Sequence, residues 1–317
     1  MITVVGEALI DLVVGQDGRI DARPGGGPFN TARTLGRLGL APAFLGRLSQ
    51  DGFGHMLRAR LEGDSVALGL PELTDAPTTL AAVDVDPAGS PRYRFYLGGT
   101  SAAALEYPLL SGVLSGGVTA LHAGTLALVM EPIATSVERL IASDLPPDTL
   151  VMIDPNCRPA AITDRRAYLA RLFRILRRAD VVKVSVEDLA YLSPSVPTRA
   201  AAVALLEQGP ALVLVTDGPR AARAFLPGRK IAVDVPEVKV VDTIGAGDAF
   251  GGAFLAWWIG NDLGRADLHQ PGPVTEALQA AVEVAALTCT RVGAEPPWRA
   301  EVSGRPGWRS QARQPLP

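Results

Sequence analysis

Short apolar runs alternate along the chain with segments whose apolar positions repeat at helical spacing. The runs predict strands at 2–5, 43–46, 118–122, 150–154, 181–184 and 211–216. The periodic segments predict helices at 30–38, 53–61, 131–143, 166–177, 198–208, 249–259 and 274–291. Strands that are apolar throughout suit a sheet covered on both faces by helices. The alternation therefore predicts an α/β fold with a largely parallel sheet.

One region departs from this pattern. Segments 78–86 and 92–97 alternate as strands do, and the Pro-Ala-Gly-Ser-Pro sequence at 87–91 between them is a hairpin signal. The second segment divides its side chains between two faces, Tyr93, Phe95 and Leu97 against Arg92, Arg94 and Tyr96. We predict that these two segments and residues 12–20 form a small separate sheet. The alternative is an ordinary edge hairpin.

The chain has 317 residues, a formal net charge of −3, three histidines and two cysteines. This charge gives no basic surface for nucleic acid, and the His and Cys residues lack zinc-ligand spacing. Residues 1–14 lack the basic region of a signal peptide, and no apolar run is long enough for a membrane span. We therefore expect a cytoplasmic protein without nucleic-acid or membrane partners. We expect a domain over 1–302 and a poorly ordered tail at 303–317.

The segment 242–248, Asp-Thr-Ile-Gly-Ala-Gly-Asp, leads into the apolar helix predicted at 249–259. Gly245 and Gly247 let the backbone fold tightly, so that consecutive amides can face one anionic group near a helix start. A carboxylate at Asp248 opposes anion binding unless it takes a proton from the nucleophile that attacks a bound phosphoryl group. The alternative is a glycine turn capped by Asp248. The spacing fits neither a GxGxxG fingerprint nor a Walker A loop.

A second glycine motif occupies 24–32, Pro-Gly-Gly-Gly-Pro-Phe-Asn-Thr-Ala. Three glycines bring the backbone close to a ligand, and Asn30 offers both donors and acceptors near the start of a helix. Such an uncharged polar surface suits sugar hydroxyls. The alternative is a glycine turn with Asn30 as the helix N-cap.

The two motifs together, with Leu-Gly-Arg-Leu-Gly at 35–39, closely resemble the signatures of the ribokinase-like (pfkB-type) carbohydrate kinases. Their order and separation match that family, and the resemblance covers residues 1 to 300. It implies a three-layer α/β/α sandwich with a small β-sheet lid over the sugar, a lid that often mediates homodimers. It also implies an enzyme that transfers the γ-phosphoryl group of ATP to a primary hydroxyl of a small sugar.

The resemblance also implies roles for individual residues. By motif position, Asp248 is the catalytic base, and the amides of Gly245, Ala246 and Gly247 form the anion hole. The implied sugar contacts are Asp11, Gly26, Gly27, Asn30 and the lid residue Tyr96. Arg158 resembles an arginine that some members direct at the transferring phosphate, where it would stabilise charge on the equatorial oxygens. A surface salt bridge is the alternative for Arg158.

The segment 183–188, Lys-Val-Ser-Val-Glu-Asp, stands where the family often has an NxxE motif that orders Mg²⁺ and phosphates. Ser185 replaces the asparagine and Asp188 replaces the glutamate, which leaves open whether Glu187 or Asp188 acts on Mg²⁺, directly or through water. Lys183 and Ser185 are the implied ATP contacts in this segment.

Thr216 and Gly218 end a predicted strand where the family has its ATP-binding loop, and Gly247 is a further implied ATP contact. Asp217 departs from the family's more usual pattern there. Asp242, together with residues 291–294, resembles the part that binds a monovalent cation such as K⁺ in several members. The sequence does not decide whether this chain depends on such a cation.

Within the family, residues 6–11, 25–30 and 95–102 look most like those of fructokinases, which makes fructose the expected sugar. The alternative is 2-keto-3-deoxygluconate kinase or another ribokinase-like sugar kinase. Enzymes that act on that sugar acid resemble one another in an arginine just after the lid tyrosine. Leu97 stands there in this chain, although Arg92 or Arg94 could substitute.

Two alternatives belong to other classes of protein. A catalytically inactive, sugar-sensing relative is opposed by the intact Asp248 and its glycine turn. A dinucleotide-dependent oxidoreductase would need a GxGxxG sequence after the first strand, and residues 6–9 read Gly-Glu-Ala-Leu instead.

Overall fold

The computed structural model describes residues 1–15, 17–85, 91–111 and 117–308. Within these ranges the strands are β1 Ile2–Val5, β2 Leu9–Val14, β3 Ile20–Gly25, β4 Ala43–Leu45, β5 Ala67–Leu68, β6 Leu80–Val85, β7 Pro91–Tyr96, β8 Ala120–Gly124, β9 Leu150–Asp154, β10 Val181–Ser185, β11 Leu212–Thr216, β12 Ala222–Leu226 and β13 Arg229–Val233. The α-helices are α1 Gly27–Arg37, α2 Gly52–Gly63, α3 Tyr107–Ser111, α4 Ile133–Ser143, α5 Arg165–Leu176, α6 Val186–Leu192, α7 Thr198–Leu206, α8 Ala246–Gly260, α9 Pro271–Thr288 and α10 Arg299–Val302.

The central sheet of the described residues has nine strands in the order β13-β12-β11-β10-β9-β8-β1-β4-β5. In this order, neighbouring strands from β5 through β4, β1, β8, β9 and β10 to β11 are all parallel. At the other edge, β12 is antiparallel to β11 and β13 is antiparallel to β12. Successive side chains of each strand point to opposite faces. Val4 and Leu214 therefore join the core beneath α1, α8 and α9, whereas Val5 and Val215 join the core beneath α4 to α7. This arrangement confirms the predicted three-layer sandwich.

A separate four-stranded sheet, in the order β3-β2-β6-β7, forms the lid. The segment predicted at 12–20 is not one strand. Strand β2 begins at Leu9, and the chain turns back at Gly18, whose φ is 78°. The β2 strand therefore carries Asp11, and β3 runs directly into the glycine motif. The second lid segment holds β6 and β7, while residues 86–90 of its predicted turn lie outside the described residues.

Two helices begin earlier than their apolar periodicity predicts. Helix α1 starts at Gly27 after Gly26, and α8 starts at Ala246 after Gly245, with φ of 109° and 76° at the two preceding glycines. Positive φ is unfavourable for residues with a side chain, so a glycine marks each helix start. The first amides of a helix have no intrahelical partner, and both motifs therefore present such amides.

The predicted disorder of the tail is wrong for residues 303–308. Trp308 is only 2% exposed, and its indole nitrogen donates to the carbonyl of Ala280 at 3.1 Å. The Trp257 indole donates in turn to the carbonyl of Gly307 at 2.7 Å. An aromatic anchor thus outweighs the surrounding Gly and Pro residues. Residues 309–317 lie outside the described part of the chain. Within the described residues, no helix has the length and apolar character of a membrane span.

We expect Trp308→Ala to lower the free energy of unfolding by about 3 kcal/mol, because it removes a buried aromatic side chain. Trp298→Ala is the matched control, since Trp298 is 43% exposed and chiefly covers the Arg37 guanidinium. Trp298→Ala should lower the free energy of unfolding by only about 1 kcal/mol. Urea denaturation of both variants measures the difference, and equal losses would show that the end of the chain does not anchor the fold.

Candidate active site

Two cavities meet beside the start of α8. The smaller, of about 250 Å³, lies between the lid and the carboxyl ends of the parallel strands, and its lining includes Asp11, Asn30, Arg158 and Asp248. The larger, of about 690 Å³, is mostly apolar and lies against α8 and α9. Thr243 and Gly247 line both cavities. A ligand in one can therefore reach a ligand in the other across the 243–248 turn.

The glycine motif at 25–27 forms one wall of the smaller cavity. A Cβ on Gly26 would lie 2.7 Å from the carbonyl oxygen of Glu7, so only glycine fits this close approach. The buried Glu7 carboxyl group accepts the amides of Gly27 at 3.2 Å and Ala127 at 3.0 Å. Burial raises the pKa of Glu7 to about 8, although these amides lower it. Glu7 therefore ties the glycine loop to the end of β8.

Asp248 lies at the junction of the cavities and is bound from two sides. Its Oδ2 accepts the Asn30 side-chain amide at 2.9 Å, and the Asn156 amide lies 3.5 Å from its Oδ1. Burial raises the pKa of Asp248 to about 7, and the Asn30 hydrogen bond and the charges of Lys183 and Arg158 act in the opposite direction. A carboxylate with a pKa near neutrality suits proton transfer at physiological pH.

Asn30 keeps one acceptor for a ligand. Its Oδ1 is buried and has no hydrogen-bond partner in the protein, which is costly unless a ligand or water supplies a donor. Thr125 and Asn156, which follow β8 and β9, also face the cavity and have positive φ of 52° and 38°. Backbone held in such a sparsely populated region is typical of functional sites.

The turn at 243–248 is held from behind. Gly245 stands so close to the loop after α9 that a Cβ there would lie 2.4 Å from the Cβ of Ala294. A Cβ on Gly247 would lie 2.8 Å from Lys183 Nζ. Packing therefore restricts both positions to glycine, and the positive φ of Gly245 adds a backbone requirement there. Ala246 and Gly247 occupy the first turn of α8, where amides can face an anion.

Lys183 lies beneath this turn. It is 3% exposed, and its Nζ donates to Asp154 Oδ2 at 3.0 Å. Burial lowers the pKa of the lysine, but the nearby carboxylates, Asp154 first, more than offset that effect and raise it. Lys183 is therefore a buried cation behind the 243–248 turn, and neither it nor Ser185 lines the larger cavity. Thr216, Gly218 and Gly247, also predicted to contact ATP, do line it.

The two carboxylates proposed for Mg²⁺ differ in their surroundings. Asp188 is buried and accepts the amides of Ser185 at 2.8 Å and Cys157 at 2.7 Å, as well as the Ser185 hydroxyl at 2.9 Å. It forms a capping box at the start of α6. Glu187 is exposed. Asp188 thus has a structural role, and Glu187 is the carboxylate of the pair that remains accessible.

The structure places Tyr96 away from the site. Asp11 pairs with Ala81, and Ala81 with Phe95, across the lid sheet, so these side chains share the face that looks into the cavity. Tyr96 points to the other face and is 53% exposed. The alternation of β7 was predicted correctly, but it does not say which face meets the body. Tyr93 and Phe95 take the place expected of Tyr96.

Asp11 and Arg158 lie together in the smaller cavity. Burial raises the pKa of Asp11 to about 6, and the positive charges of Arg158 and Arg23 counteract this rise. Arg158 donates to the carbonyls of Asn156 at 3.1 Å and Cys157 at 3.2 Å, so it is fixed in the site, and it forms no salt bridge with another described residue.

Several lining residues carry no sequence signal that would have identified them. In the smaller cavity these are Glu7, Tyr93, Phe95, Thr125, Asn156 and Thr243, although Glu7 and Thr243 lie inside motifs that were recognised. The larger cavity is lined by apolar and small residues of the 235–240 segment and of α9, including Val235, Val238, Val282, Ala285, Ala286 and Cys289. Such residues are indistinguishable from core positions until the fold is known.

A small polar cavity joined to a larger apolar one, with a carboxylate and helix-start amides between them, is the arrangement of a phosphotransferase. The family model of the pfkB family carbohydrate kinases matches residues 1–301. The chain belongs to this family, as the motif resemblance predicted.

Individual relatives point in the same direction. A fructokinase of Rhizobium leguminosarum bv. trifolii is 34% identical over 81% of this chain and 79% of its own length. The structure of a Xylella fastidiosa fructokinase with bound ATP superposes with a TM-score of 0.86 at 29% identity, covering 95% of this chain and 96% of that one. The structure of a double mutant of the Vibrio cholerae O395 fructokinase, with fructose, ADP and potassium bound, superposes with a TM-score of 0.79 at 27% identity. The superposition covers 92% of this chain and 93% of that one.

We expect Asp248→Asn to stabilise the protein at pH 8, by at least about 1 kcal/mol. The pKa of Asp248 rises from 3.8 to about 7 on folding, so its ionisation disfavours the folded state. The advantage of asparagine should grow between about pH 4 and pH 7 and level off above. Thermal unfolding across this range measures it.

Asp217→Asn is the control of opposite sign. Hydrogen bonds from Arg220 and Arg223 lower the pKa of Asp217, so its charge stabilises the folded state above pH 4. Its substitution should therefore lower the melting temperature at pH 8. A destabilised Asp248→Asn variant at pH 8 would contradict the unfavourable burial of that carboxylate.

Proposed function

We propose that this enzyme transfers the γ-phosphoryl group of ATP to a primary hydroxyl of fructose. The observation that carries the proposal is the position of Asp248, at the junction of a small polar cavity and a larger apolar one. The fructokinases similar to this chain include one described with bound ATP and one with fructose and ADP. Fructose would occupy the smaller cavity and ATP the larger.

The charges of the smaller cavity favour a neutral sugar. Glu7, Asp11 and Asp248 contribute three carboxyl groups, and Arg158 is the one guanidinium that lines it among the described residues. A substrate carboxylate would meet the negative charges of ionised Asp11 and Asp248 there, which discriminates against it. Asp11 and the free Oδ1 of Asn30 can accept sugar hydroxyls. This balance of charge supports fructose over 2-keto-3-deoxygluconate.

The larger cavity suits the nucleoside part of ATP. Its walls combine α9 residues with the 235–240 segment, which offer flat apolar surface to a base. Thr216 and Gly218 lie at the end of β11, and Ala246 and Gly247 lie at the end nearest Asp248. The phosphates would therefore extend toward the helix-start amides, which stabilise negative charge.

The chain's own groups would act together in the transfer. Asp248 takes the hydroxyl proton late, as charge builds in a loose transition state, because a carboxylate is too weak a base to ionise an alcohol beforehand. The amides of Gly245, Ala246 and Gly247 hold the developing negative charge, and Arg158 adds a positive charge from the sugar side. The lid carries Tyr93 and Phe95 over the cavity and excludes water that would hydrolyse ATP.

Mg²⁺ is part of this proposal, and the residues fit an ion held mainly by the nucleotide. Among the described residues no group of three or more His, Cys, Asp or Glu side chains forms a metal cage. Mg²⁺ commonly keeps several waters and binds through substrate phosphates with one or two carboxylates. Asp154 Oδ1 is buried without a partner, and Glu187 is exposed, so these two could bind its waters. Bound Mg²⁺ would neutralise phosphate charge.

Assembly and location also belong to the proposal. Ile20 and Tyr96 lie on the outer face of the lid and are 64% and 53% exposed, which supports a homodimer formed through the lid. Light scattering of the purified enzyme would test that assembly. We also propose a cytoplasmic location, where ATP and fructose would both be available.

The proposed acceptor is tested by ADP release with fructose, tagatose, ribose, 2-keto-3-deoxygluconate and adenosine. We expect the highest kcat/KM with fructose and the lowest among the sugars with 2-keto-3-deoxygluconate, whose carboxylate would enter a cavity with three carboxyl groups. A preference for the sugar acid would overturn the assignment of the acceptor. If none of these compounds stimulates ADP formation, the enzyme would instead fit the inactive, sugar-sensing class.

The role of Asp248 is tested by the pH dependence of the rate. We expect kcat/KM to fall about tenfold per pH unit below pH 7, as Asp248 takes up its proton, and to fall more steeply below pH 6, where Asp11 does the same. Asp248→Asn should lower kcat by at least about a hundredfold while fructose still binds in calorimetry. Near-normal turnover of that variant would remove Asp248 from the role of base.

A further inference from the structure

Asp242 is the point where the lid, the anion-hole turn and the loop after α9 meet. Its Oδ1 accepts the amide of Ile244 at 3.0 Å, and its Oδ2 accepts the amide of Gly293 at 2.9 Å. The first bond holds the entrance of the 243–248 turn. The second holds the loop whose Ala294 packs against Gly245. The position of the anion hole therefore depends on Asp242.

A lid arginine reaches this carboxylate. Arg23 lies directly opposite Asp11 in the β2–β3 pair, so its side chain shares the lid face that looks toward the body. Its Nη1 lies 3.3 Å from Asp242 Oδ2, and its Nε donates to Asp21 at 2.6 Å. In the described part of the chain, no other recorded ion pair links a lid strand to the α/β body.

With Arg23 in place, Asp242 Oδ2 is not free for a monovalent cation, and several other oxygens nearby are already hydrogen-bonded. The carbonyl of Cys289 already accepts the amides of Val241 at 2.8 Å and Asp242 at 3.2 Å. Guanidinium groups bind the carbonyls of the 294–296 loop, Arg33 that of Ala294 at 2.7 Å and Arg37 that of Pro296 at 2.6 Å.

Arg33 and Arg37 are themselves fixed. Both are buried on α1, and they share Asp64 at 2.6 Å and 2.8 Å and Glu295 at 3.0 Å and 2.7 Å. Removing one partner of such a network leaves an uncompensated buried charge. These guanidinium groups therefore hold the carbonyl oxygens of the 294–296 loop in place.

We propose that Arg23 supplies, from the lid, the positive charge that balances Asp242, and that the enzyme consequently needs no monovalent cation. Arg23 is a positioning residue: it contacts Asp242, which in turn holds the amides that face the phosphate. Because the guanidinium belongs to the lid, this charge is in place when the lid is seated over the smaller cavity. The kinetic part of the inference rests on the proposed kinase function.

The test compares KCl with tetramethylammonium chloride at a fixed ionic strength of about 0.1 M, so that screening is equal. The wild-type enzyme should turn over at the same rate, within about twofold, in both salts. Arg23→Met should lose about tenfold in kcat in tetramethylammonium, with a smaller change in the KM for sugar. K⁺ or the substitution Arg23→Lys should restore most of that loss, since each returns a cation to Asp242.

Arg19→Met is the matched control, because Arg19 lies in the same lid hairpin but pairs with Asp17 at the exposed surface. It should behave as the wild-type enzyme in both salts. Strong K⁺ activation of the wild type would overturn the proposal. So would normal turnover of Arg23→Met in tetramethylammonium, or a loss that neither K⁺ nor lysine restores.

A second readout does not need turnover. The melting temperature and the ADP affinity of Arg23→Met should both rise when K⁺ replaces tetramethylammonium, whereas those of the wild type should not change. If no sugar were phosphorylated, the proposed function would fail, yet these two measurements would still decide the role of Arg23. Equal K⁺ responses of wild type and variant would overturn that role.

Discussion

The hydrogen bond from Asn30 to Asp248 is the contact on which the site depends, because it joins segments 218 residues apart in the chain. It is possible only because α1 and α8 pack closely. A Cβ on Gly252 would lie 2.8 Å from the Cβ of Thr34, so a larger residue there would push the helices apart. The two glycine motifs are thus brought together by helix packing, and the carboxylate proposed as the catalytic base lies at the contact.

Burial of ionisable groups is the second constraint. Glu7, Asp154 and Asp248 are all buried near the strand ends, and Lys183 is the cation that shares their interior. Taking carboxylates out of water is unfavourable unless hydrogen bonds or opposite charges compensate. Glu7 accepts hydrogen bonds from two backbone amides, and Asp154 accepts one from Lys183. Asp248 is compensated less and has a raised pKa. Burial of the Asp248 carboxylate lowers the stability of the folded state. The same burial raises its pKa, so that Asp248 can take up a proton near neutral pH.

Arginine has a prominent structural role around the turn at 243–248. Arg33 and Arg37 fix the loop after α9, and Arg23 reaches Asp242 from the lid. A guanidinium group keeps its charge when buried and can hold several oxygens in a fixed geometry. The turn that is proposed to bind phosphate is therefore supported on three sides, by Lys183 below, by the loop beside it and by the lid.

The sequence by itself determined the sandwich, the separate lid and the residues of the two motifs. Uninterrupted apolar strands and closely spaced glycines are local signals, since they follow from the period of a strand and from backbone approach. The sequence also placed Arg158, Thr216 and Gly218 after strand ends, where the two cavities are, and the family motif implied Asp11. The family assignment rested on the spacing of these same motifs.

Only the tertiary structure decided the remaining points. Strand alternation separates Tyr93 and Phe95 from Tyr96 but is symmetric, so the choice of inward face depends on how the lid sits on the body. The burial of Lys183, the capping role of Asp188 and the anchoring of Trp308 depend on neighbours distant in sequence. The link from Arg23 to Asp242 joins residues 219 positions apart. No local pattern encodes such a contact, because its partners meet only after the chain has folded.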